Sequence, residues 1–223
     1  MTLATYADLT TAIASWYGTP GDTIITTNAA DFVTLAESRI YNGYGEPGDP
    51  FYSPAVRTRL METSSDLTIS SQTVAAPTDL LAPRRLYLNS NPIRMLDYLA
   101  PNDFWARFLS GETGVPMAYT IEGTDFKFGP TPDSTYTGKL LYWKTFAALS
   151  SSINALFTAA PNLWLWASCF EAAVFKDDPE GMSRFHSLYM GTAKGLNASD
   201  RAARYGGAPL MIRSDTSNPP QVT

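Results

Sequence analysis

Histidine and cysteine are almost absent from this sequence, since each occurs once among 223 residues, as His186 and Cys169. One histidine cannot build a histidine-based metal cluster or a multi-histidine acid–base site. One cysteine cannot form a disulfide within the chain. No P-loop, dinucleotide-binding glycine motif, nucleophile elbow or paired-cysteine motif occurs either. The sequence therefore predicts a protein that is not an enzyme and that needs no cofactor.

The few residues that could carry chemistry have structural interpretations that we favour. Cys169 lies in an apolar helical pattern and is expected to be a small buried hydrophobe, and His186 is expected to be a packing or interface group. Asp177 and Asp178 precede a proline at a helix end, where a solvated turn is favoured over a Mg²⁺ site that would need further oxygen ligands. Glu171 is surrounded by apolar residues, so if buried it needs a partner such as an arginine from another helix.

Long hydrophobic runs are also missing. No stretch of about 18 apolar residues occurs, which excludes a credible membrane span, and the first ten residues lack the basic and apolar regions of a signal peptide. Charged residues make up 17% and hydrophobic residues 44% of the chain, a balance typical of folded proteins. We expect a soluble protein, made and kept in a cytoplasm, with one or two domains.

What charge there is, a net −5, is unevenly distributed. Residues 1–50 hold six acidic side chains and one basic one, which gives −5, whereas residues 183–213 hold five basic and one acidic, which gives +4. Either the terminal helices of one chain pack together, or the ends of neighbouring copies meet. The candidates for contacts between copies are Asp8, Asp31, Glu37, Arg184, Arg201 and Arg204. The acidic total argues against nucleic acid as a bound ligand, because phosphates need clustered Lys and Arg.

Apolar residues at helical spacing dominate both ends of the chain. The predicted helices cover residues 6–16, 28–40, 53–62, 161–176 and 182–204. Thr5 and Asp8 form a capping-box pattern, Asn28 is the expected N-cap of the second helix, and Ser53 that of the third. The helix over 161–176 is apolar on nearly every face, which predicts the central helix of a bundle.

The middle of the chain changes to alternating residues and turn signals, which predicts short strands. They include a hairpin of residues 117–121 and 125–128, and a strand over 138–146, with a short helical segment at 101–110. The predicted fold class is α+β: a helical bundle built from N- and C-terminal helices with a small antiparallel β-sheet or barrel insertion in the middle of the chain. The expected division is a bundle of 1–64 and 149–205, a β insertion of 65–148 and an extended C-terminal arm of 206–223.

The arm lacks periodicity, and Leu210, Met211 and Ile212 form a short apolar clip within it. Such a clip suits an arm that docks as an extended strand on another surface. A frayed terminus fits the same residues equally well.

The order of these segments resembles the tailed-phage head-to-tail adaptor proteins, the connectors that form a ring beneath the portal. Eight pieces carry the resemblance, over most of residues 4–178: YADLTTAIASWYG, FVTLAESRIYNGYG, VRTRLME, PTDLLAPRRLYLN, LDYLAPNDFWARF, GVPMAYTIEGTDFKFGPTP, KLLYWKTFAALS and PNLWLWASCFEAAVFKDD.

The resemblance implies a non-enzymatic virion protein in the neck between capsid and tail, present in the host cytoplasm before assembly. Its partners would be about twelve copies of itself in a ring, the portal, and a downstream tail or stopper protein, with DNA only passing through the channel and no membrane. The family often uses its C-terminal region as an arm that reaches the portal, a role that would fall to Leu210–Ile212. An alternative interpretation is a tail-associated or host-surface module that binds a ligand through the β insertion.

Overall fold

The part of the chain that the structure describes, residues 3–17, 22–109 and 111–204 of a computed structural model, is a helical bundle with a β insertion. Its helices are α1 (Tyr6–Tyr17), α2 (Thr23–Asn42), α3 (Pro101–Phe108), α4 (Ala155–Ala159), α5 (Pro161–Phe175) and α6 (Pro179–Arg204). Its strands are β1 (Glu62–Ile69), β2 (Thr73–Ala75), β3 (Leu80–Leu88), β4 (Arg94–Met95), β5 (Asp97–Tyr98), β6 (Thr113–Gly114), β7 (Ala118–Glu122), β8 (Asp125–Gly129), β9 (Thr131–Pro132) and β10 (Tyr136–Lys144). The α+β prediction is confirmed.

The first helix begins with the predicted capping box. The backbone N–H of Asp8 donates to Thr5 Oγ1 at 3.1 Å, and the N–H of Thr5 donates to Asp8 Oδ2 at 2.9 Å. These reciprocal bonds satisfy N–H groups that the first turn of a helix leaves without a partner.

The second helix begins earlier than predicted. It starts at Thr23, and Asp22 caps it by accepting a hydrogen bond from the N–H of Ile24 at 2.9 Å. The prediction that Asn28 is the N-cap is wrong. Ile25, in a β-branched run that disfavours helix, is fully buried, so tertiary packing outweighs local propensity.

The predicted third helix from Ser53 is also wrong. Ser53 pairs with Tyr44 in an isolated antiparallel bridge, and helical geometry is confined to a 3₁₀ turn at Arg59–Met61. The N–H of Val56 donates to the carbonyl of Ile40 at 2.9 Å. This segment is therefore held to the end of α2 by backbone hydrogen bonding and is not helical over residues 52–58.

Helix α5 is the centre of the bundle, as predicted. It packs against α6, α2, α1 and α4, and Trp164 and Cys169 are both 0% exposed. The complete burial of Cys169 agrees with its predicted role as a small hydrophobe. Burial also raises the pKa of its thiol to about 12, so the thiol stays protonated near neutral pH.

The β insertion contains two four-stranded sheets. One sheet has the order β1-β10-β3-β4 and the other β2-β8-β7-β5. The chain passes from one sheet to the other between edge strands, from β1 to β2 and from β4 to β5. Pairing within these sheets is antiparallel except between β5 and β7, and the predicted hairpin is the β7–β8 pair. The enclosed apolar core is Leu67, Ile69, Leu86, Leu88, Leu96, Tyr119, Phe126, Phe128, Leu140 and Tyr142.

The β insertion is attached to the bundle through β3, β10 and the segment after β10. Leu81, Trp143 and Phe146 pack against the core of the bundle. Arg84 lies 4.5 Å above the Trp143 ring and pairs with Glu62 at 2.6 Å. Entry strand β1 and exit strand β10 are paired along their length, from Glu62 opposite Trp143 to Ile69 opposite Tyr136.

Candidate assembly surfaces

An ion pair lies between α2 and α5. Arg39 Nε donates to Glu171 Oε1 at 2.7 Å, and the two side chains are only 5% and 12% exposed. The guanidinium lies between the rings of Tyr44 and Phe170, at 4.2 and 4.3 Å from their centroids. This confirms the prediction that Glu171 pairs with an arginine from another helix.

The Arg39 guanidinium is not fully satisfied by this pairing. Its Nη1 is buried and has no hydrogen-bond partner among the described residues. A buried donor without an acceptor costs about 1–3 kcal/mol.

A groove opens at the Arg39–Glu171 pair, and we call it the α2–α5 groove. Its lining is Leu35, Ser38, Arg39, Gly43, Tyr44 and Glu171. Leu35 and Tyr44 are 52% and 54% exposed, and the next turn of α5 adds Val174 and Phe175, at 47% and 55%. Leu35 follows the buried Phe32 by three positions, the spacing of a core residue, but α2 turns this side chain outward beside the groove.

The acidic contact candidates lie at different depths. Asp8 is engaged in its capping box, and the hydrogen bond with Thr5 lowers the pKa of its carboxyl. Asp31 is exposed on α2, one turn before Leu35. Glu37 faces inward: its Oε1 accepts from the N–H of Leu149 at 2.7 Å, and burial raises the pKa of its carboxyl. Of the three acidic candidates, Asp31 is therefore the one whose side chain is exposed to solvent.

The basic contact candidates lie along α6. Arg184 and Arg201 are exposed, and 17 positions separate them, about 25 Å along a helix. The Arg184 guanidinium lies 4.4 Å from the centroid of the Phe185 ring. Arg204 is the last residue of α6.

The exposed side of α6 also contains two glycines that sequence reasoning missed. We define the outer face of α6 as Arg184, Ser187, Leu188, Gly191, Lys194, Gly195, Ala198, Arg201 and Ala202, all exposed and spaced three and four apart. A Cβ added at Gly191 or Gly195 would have no atom within 4 Å. The sequence signal was available, because two glycines four positions apart in a helix are unfavourable without a reason.

The first two helices contact the region where α5 ends and α6 begins within one copy. Lys176 Nζ donates to Asp22 Oδ2 at 2.8 Å, and the Tyr17 hydroxyl donates to Asp178 Oδ2 at 3.2 Å. The Tyr17 and Phe185 rings stack with centroids 6.2 Å apart. Helices from the two terminal regions therefore pack together within one chain, which was the first interpretation of the charge distribution. Contacts between the ends of neighbouring copies stay a prediction.

The other polar candidates have structural roles. His186 Nε2 is 3.0 Å from the carbonyl of Tyr52, and its ring packs on Phe51 and Phe170. Asp178 accepts from the N–H of Gly181 at 2.9 Å at the start of α6, and this bond lowers the pKa of its carboxyl. These contacts confirm the packing and helix-end predictions for the two residues.

The described residues contain neither a metal-binding cluster nor a membrane-spanning helix. Within residues 3–17, 22–109 and 111–204, no group of three or more His, Cys, Asp or Glu side chains could hold a metal ion. No helix in the same ranges has the length and apolar character to cross a membrane. The predicted arm of 206–223, with Leu210, Met211 and Ile212, lies outside the described residues.

Comparison with known proteins places the chain in a family. No curated protein matches it. A family model described as SU10 adaptor protein matches residues 4–213, which includes the whole bundle, the β insertion and the region of the predicted clip. The chain therefore belongs to the SU10 adaptor protein family, a family of phage structural adaptors.

Proposed function

We propose that this chain is the head-to-tail adaptor of a tailed phage. About twelve copies form a ring that attaches to the portal, extends the DNA channel and provides the docking surface for a tail or stopper protein. The chain acts without catalysis, in the neck of the virion, after a period in the host cytoplasm. The observation that carries the proposal is the family match over residues 4–213.

Two features of the chain support this role. The bundle completes its own core around α5, so single copies can fold before they assemble. The net charge of −5 limits attraction between a channel wall and the phosphates of passing DNA. Both suit a protein that is added to a preformed portal and through which DNA must pass freely.

The direct test mixes the purified full chain with the purified portal protein. Gradient sedimentation is expected to show co-migration, and electron microscopy a ring on one end of the portal. A chain that stays monomeric and leaves the portal bare would overturn the proposal.

The arm provides a finer test of portal attachment. We propose that Leu210, Met211 and Ile212 dock on the portal as an apolar clip. A chain lacking residues 206–223 is expected to keep the melting temperature of the full chain and to lose co-migration with the portal. A triple serine variant of the clip, which keeps the length of the chain, is the matched control and should behave like the deletion. Unchanged attachment by both variants would contradict a role for the clip.

A second candidate function rests on one surface of the β insertion. Tyr98 is 56% exposed and packs edge-on against Tyr119, with centroids 5.7 Å apart, beside Pro83 and Arg84. An exposed aromatic ring next to a cation suits the face of a sugar. Glycan binding by the isolated chain, lost in Tyr98→Ala, would favour a tail-associated or host-surface module over the adaptor role.

A further inference from the structure

The α2–α5 groove has an apolar rim, and its lining includes a buried arginine that lacks one hydrogen-bond acceptor in the described part of the chain. Arg39 is 6% exposed, and its Nη1 has no acceptor among the described residues. Buried donors in folded proteins are nearly always paired, and exposed apolar side chains gathered beside one mark an interaction surface. Because Glu171 already neutralises Arg39, the missing acceptor can be an uncharged oxygen. The groove therefore suits a protein segment with apolar and hydroxyl or carbonyl groups.

We infer that the groove receives the outer face of α6 from the next copy of this chain. The inference rests on the proposed ring and names the surfaces that join neighbouring copies. Leu188, 42% exposed, packs on Leu35 at the rim. Ser187 donates its hydroxyl proton to the carbonyl of Ser183 at 3.0 Å and keeps its lone pairs to accept from Arg39.

Access to Arg39 requires one side chain to move. The Tyr44 ring covers the guanidinium at 4.2 Å. Tyr44 is about half exposed, so its ring can swing towards solvent without opening the core. The arriving helix then replaces the ring as the cover of the guanidinium.

The charges on the two surfaces are opposite. The exposed acids beside the groove, on α2 and in the loop after Tyr44, are Asp31, Glu46 and Asp49. The cations on the outer face of α6 are Arg184, Lys194 and Arg201. Two copies that meet through these surfaces bring unlike charges together, and two copies that meet groove to groove would bring like charges together. The charges thus favour the α6 face over a second groove as the occupant.

The glycines of α6 are explained by the same contact. Gly191 and Gly195 have open space where a Cβ would lie, so no contact within the described part of the chain requires a glycine there. Glycine in a helix interior is destabilising relative to alanine. A bare stretch of backbone allows another helix to approach closely, and α2 is the element beside the groove that would do so.

The geometry joins copies head to tail. Helices α2 and α6 each pack on α5, and no described residue of α6 lines the α2–α5 groove. One copy can therefore offer its groove to one neighbour and its α6 to another, which is the heterologous contact that closes into a ring. The lengths agree, since α2 has 20 residues, about 30 Å, and positions 184–202 of α6 span about 27 Å.

Cysteine cross-linking of the full chain tests the contact. Ser38 at the groove and Ser183 on α6, one turn before Ser187, are both exposed, and the natural Cys169 is fully buried. A Ser38→Cys/Ser183→Cys variant keeps the Ser187 hydroxyl, and with a short bis-maleimide in the presence of portal it is expected to give a ladder of covalent dimers, trimers and larger species. The matched control pairs Ser38→Cys with Ser71→Cys, an exposed site on the β insertion, and is expected to give no ladder.

A blocking variant and a mixing experiment complete the test. Adding Gly191→Phe to the cross-linking variant is expected to abolish the ladder without lowering the melting temperature, because the new side chain points into open space. Leu35→Asp blocks the groove and Gly191→Phe blocks the outer face of α6, so without cross-linker each variant alone should stay monomeric. In a mixture, the intact groove of one variant can bind the intact α6 of the other, and assembly should stop at a one-to-one dimer.

The outcomes separate this inference from the proposed ring. Rings seen on the portal without a ladder, or a ladder that survives Gly191→Phe, would overturn the inference and leave the ring standing. The absence of rings, portal binding and cross-links together would overturn both.

Discussion

Removing Glu171 should destabilise the chain more than most single substitutions. The pair with Arg39 has an N–O distance of 2.7 Å and is almost completely buried. At an effective dielectric constant of about 20, the attraction at this distance is about 6 kcal/mol, and the desolvation of two ions offsets most of it. Glu171→Ala removes the attraction and leaves the desolvated guanidinium, so we expect the free energy of unfolding to fall by about 3–5 kcal/mol.

The control for this prediction removes both charges. Arg39→Met with Glu171→Leu keeps much of the buried volume and also eliminates the unpaired Nη1, so the double variant should lie within about 1.5 kcal/mol of the parent chain. Urea unfolding of the parent, both single variants and the double variant gives the coupling energy. Two results would refute this account of a buried pair whose members depend on each other. The first is a loss below about 1 kcal/mol for Glu171→Ala. The second is a double variant whose loss of stability equals the sum of the two single losses.

Three further predictions concern the bundle. Trp164→Ala should lower the free energy of unfolding by about 3–5 kcal/mol, because the side chain is fully buried in α5; an unmoved melting temperature would show that α5 is not the core. Gly43→Ala should lower the free energy of unfolding by about 1–3 kcal/mol, because φ is 78° and the new Cβ would lie 2.7 Å from a backbone carbonyl oxygen. Gly191→Ala should raise the free energy of unfolding by about 0.5–1 kcal/mol. Melting temperatures that shift in the same direction for both variants would contradict this contrast. A hydrogen bond from Lys176 lowers the pKa of Asp22 below 3.8, and one from a backbone N–H lowers the pKa of Asp178 in the same way. The stability that the two carboxylates contribute is therefore complete above pH 3.8 and is lost as the pH falls through their folded-state pKa values. A variant with Asn at both positions should lose less stability in acid than the parent, and equal losses would exclude the two carboxyls as the source.

The parts of the fold that follow from local pattern could be predicted from the sequence. The central position of α5 followed from its apolar composition, and the β7–β8 hairpin from strands on either side of a glycine-containing turn. The capping box of Thr5 and Asp8 is a contact over three positions, so the sequence displays it directly. These features need no knowledge of distant partners.

The parts that depend on distant contacts could not be predicted. Ser53 followed by proline has the pattern of a helix start, but the residue pairs with Tyr44 across a loop. Leu35 has the spacing of a core residue, yet the groove beside Arg39 leaves it half exposed. For the candidate surfaces, the sequence identified the charged ends of the chain, and it could not show that Glu37 turns inward to Leu149. Burial of a charge is set by neighbours that are far away in the chain.

The antiparallel pairing of β1 with β10 means that the β insertion is joined to the bundle at one place. Because Glu62 lies opposite Trp143, the chain leaves the bundle and returns to it at neighbouring points, about 5 Å apart. Lengthening or replacing the far end of the β insertion, such as the turn after Ile69, changes neither the spacing of these points nor the helices behind them. Sequence changes at that end can therefore alter the shape of the β insertion while the helical bundle behind it stays constant.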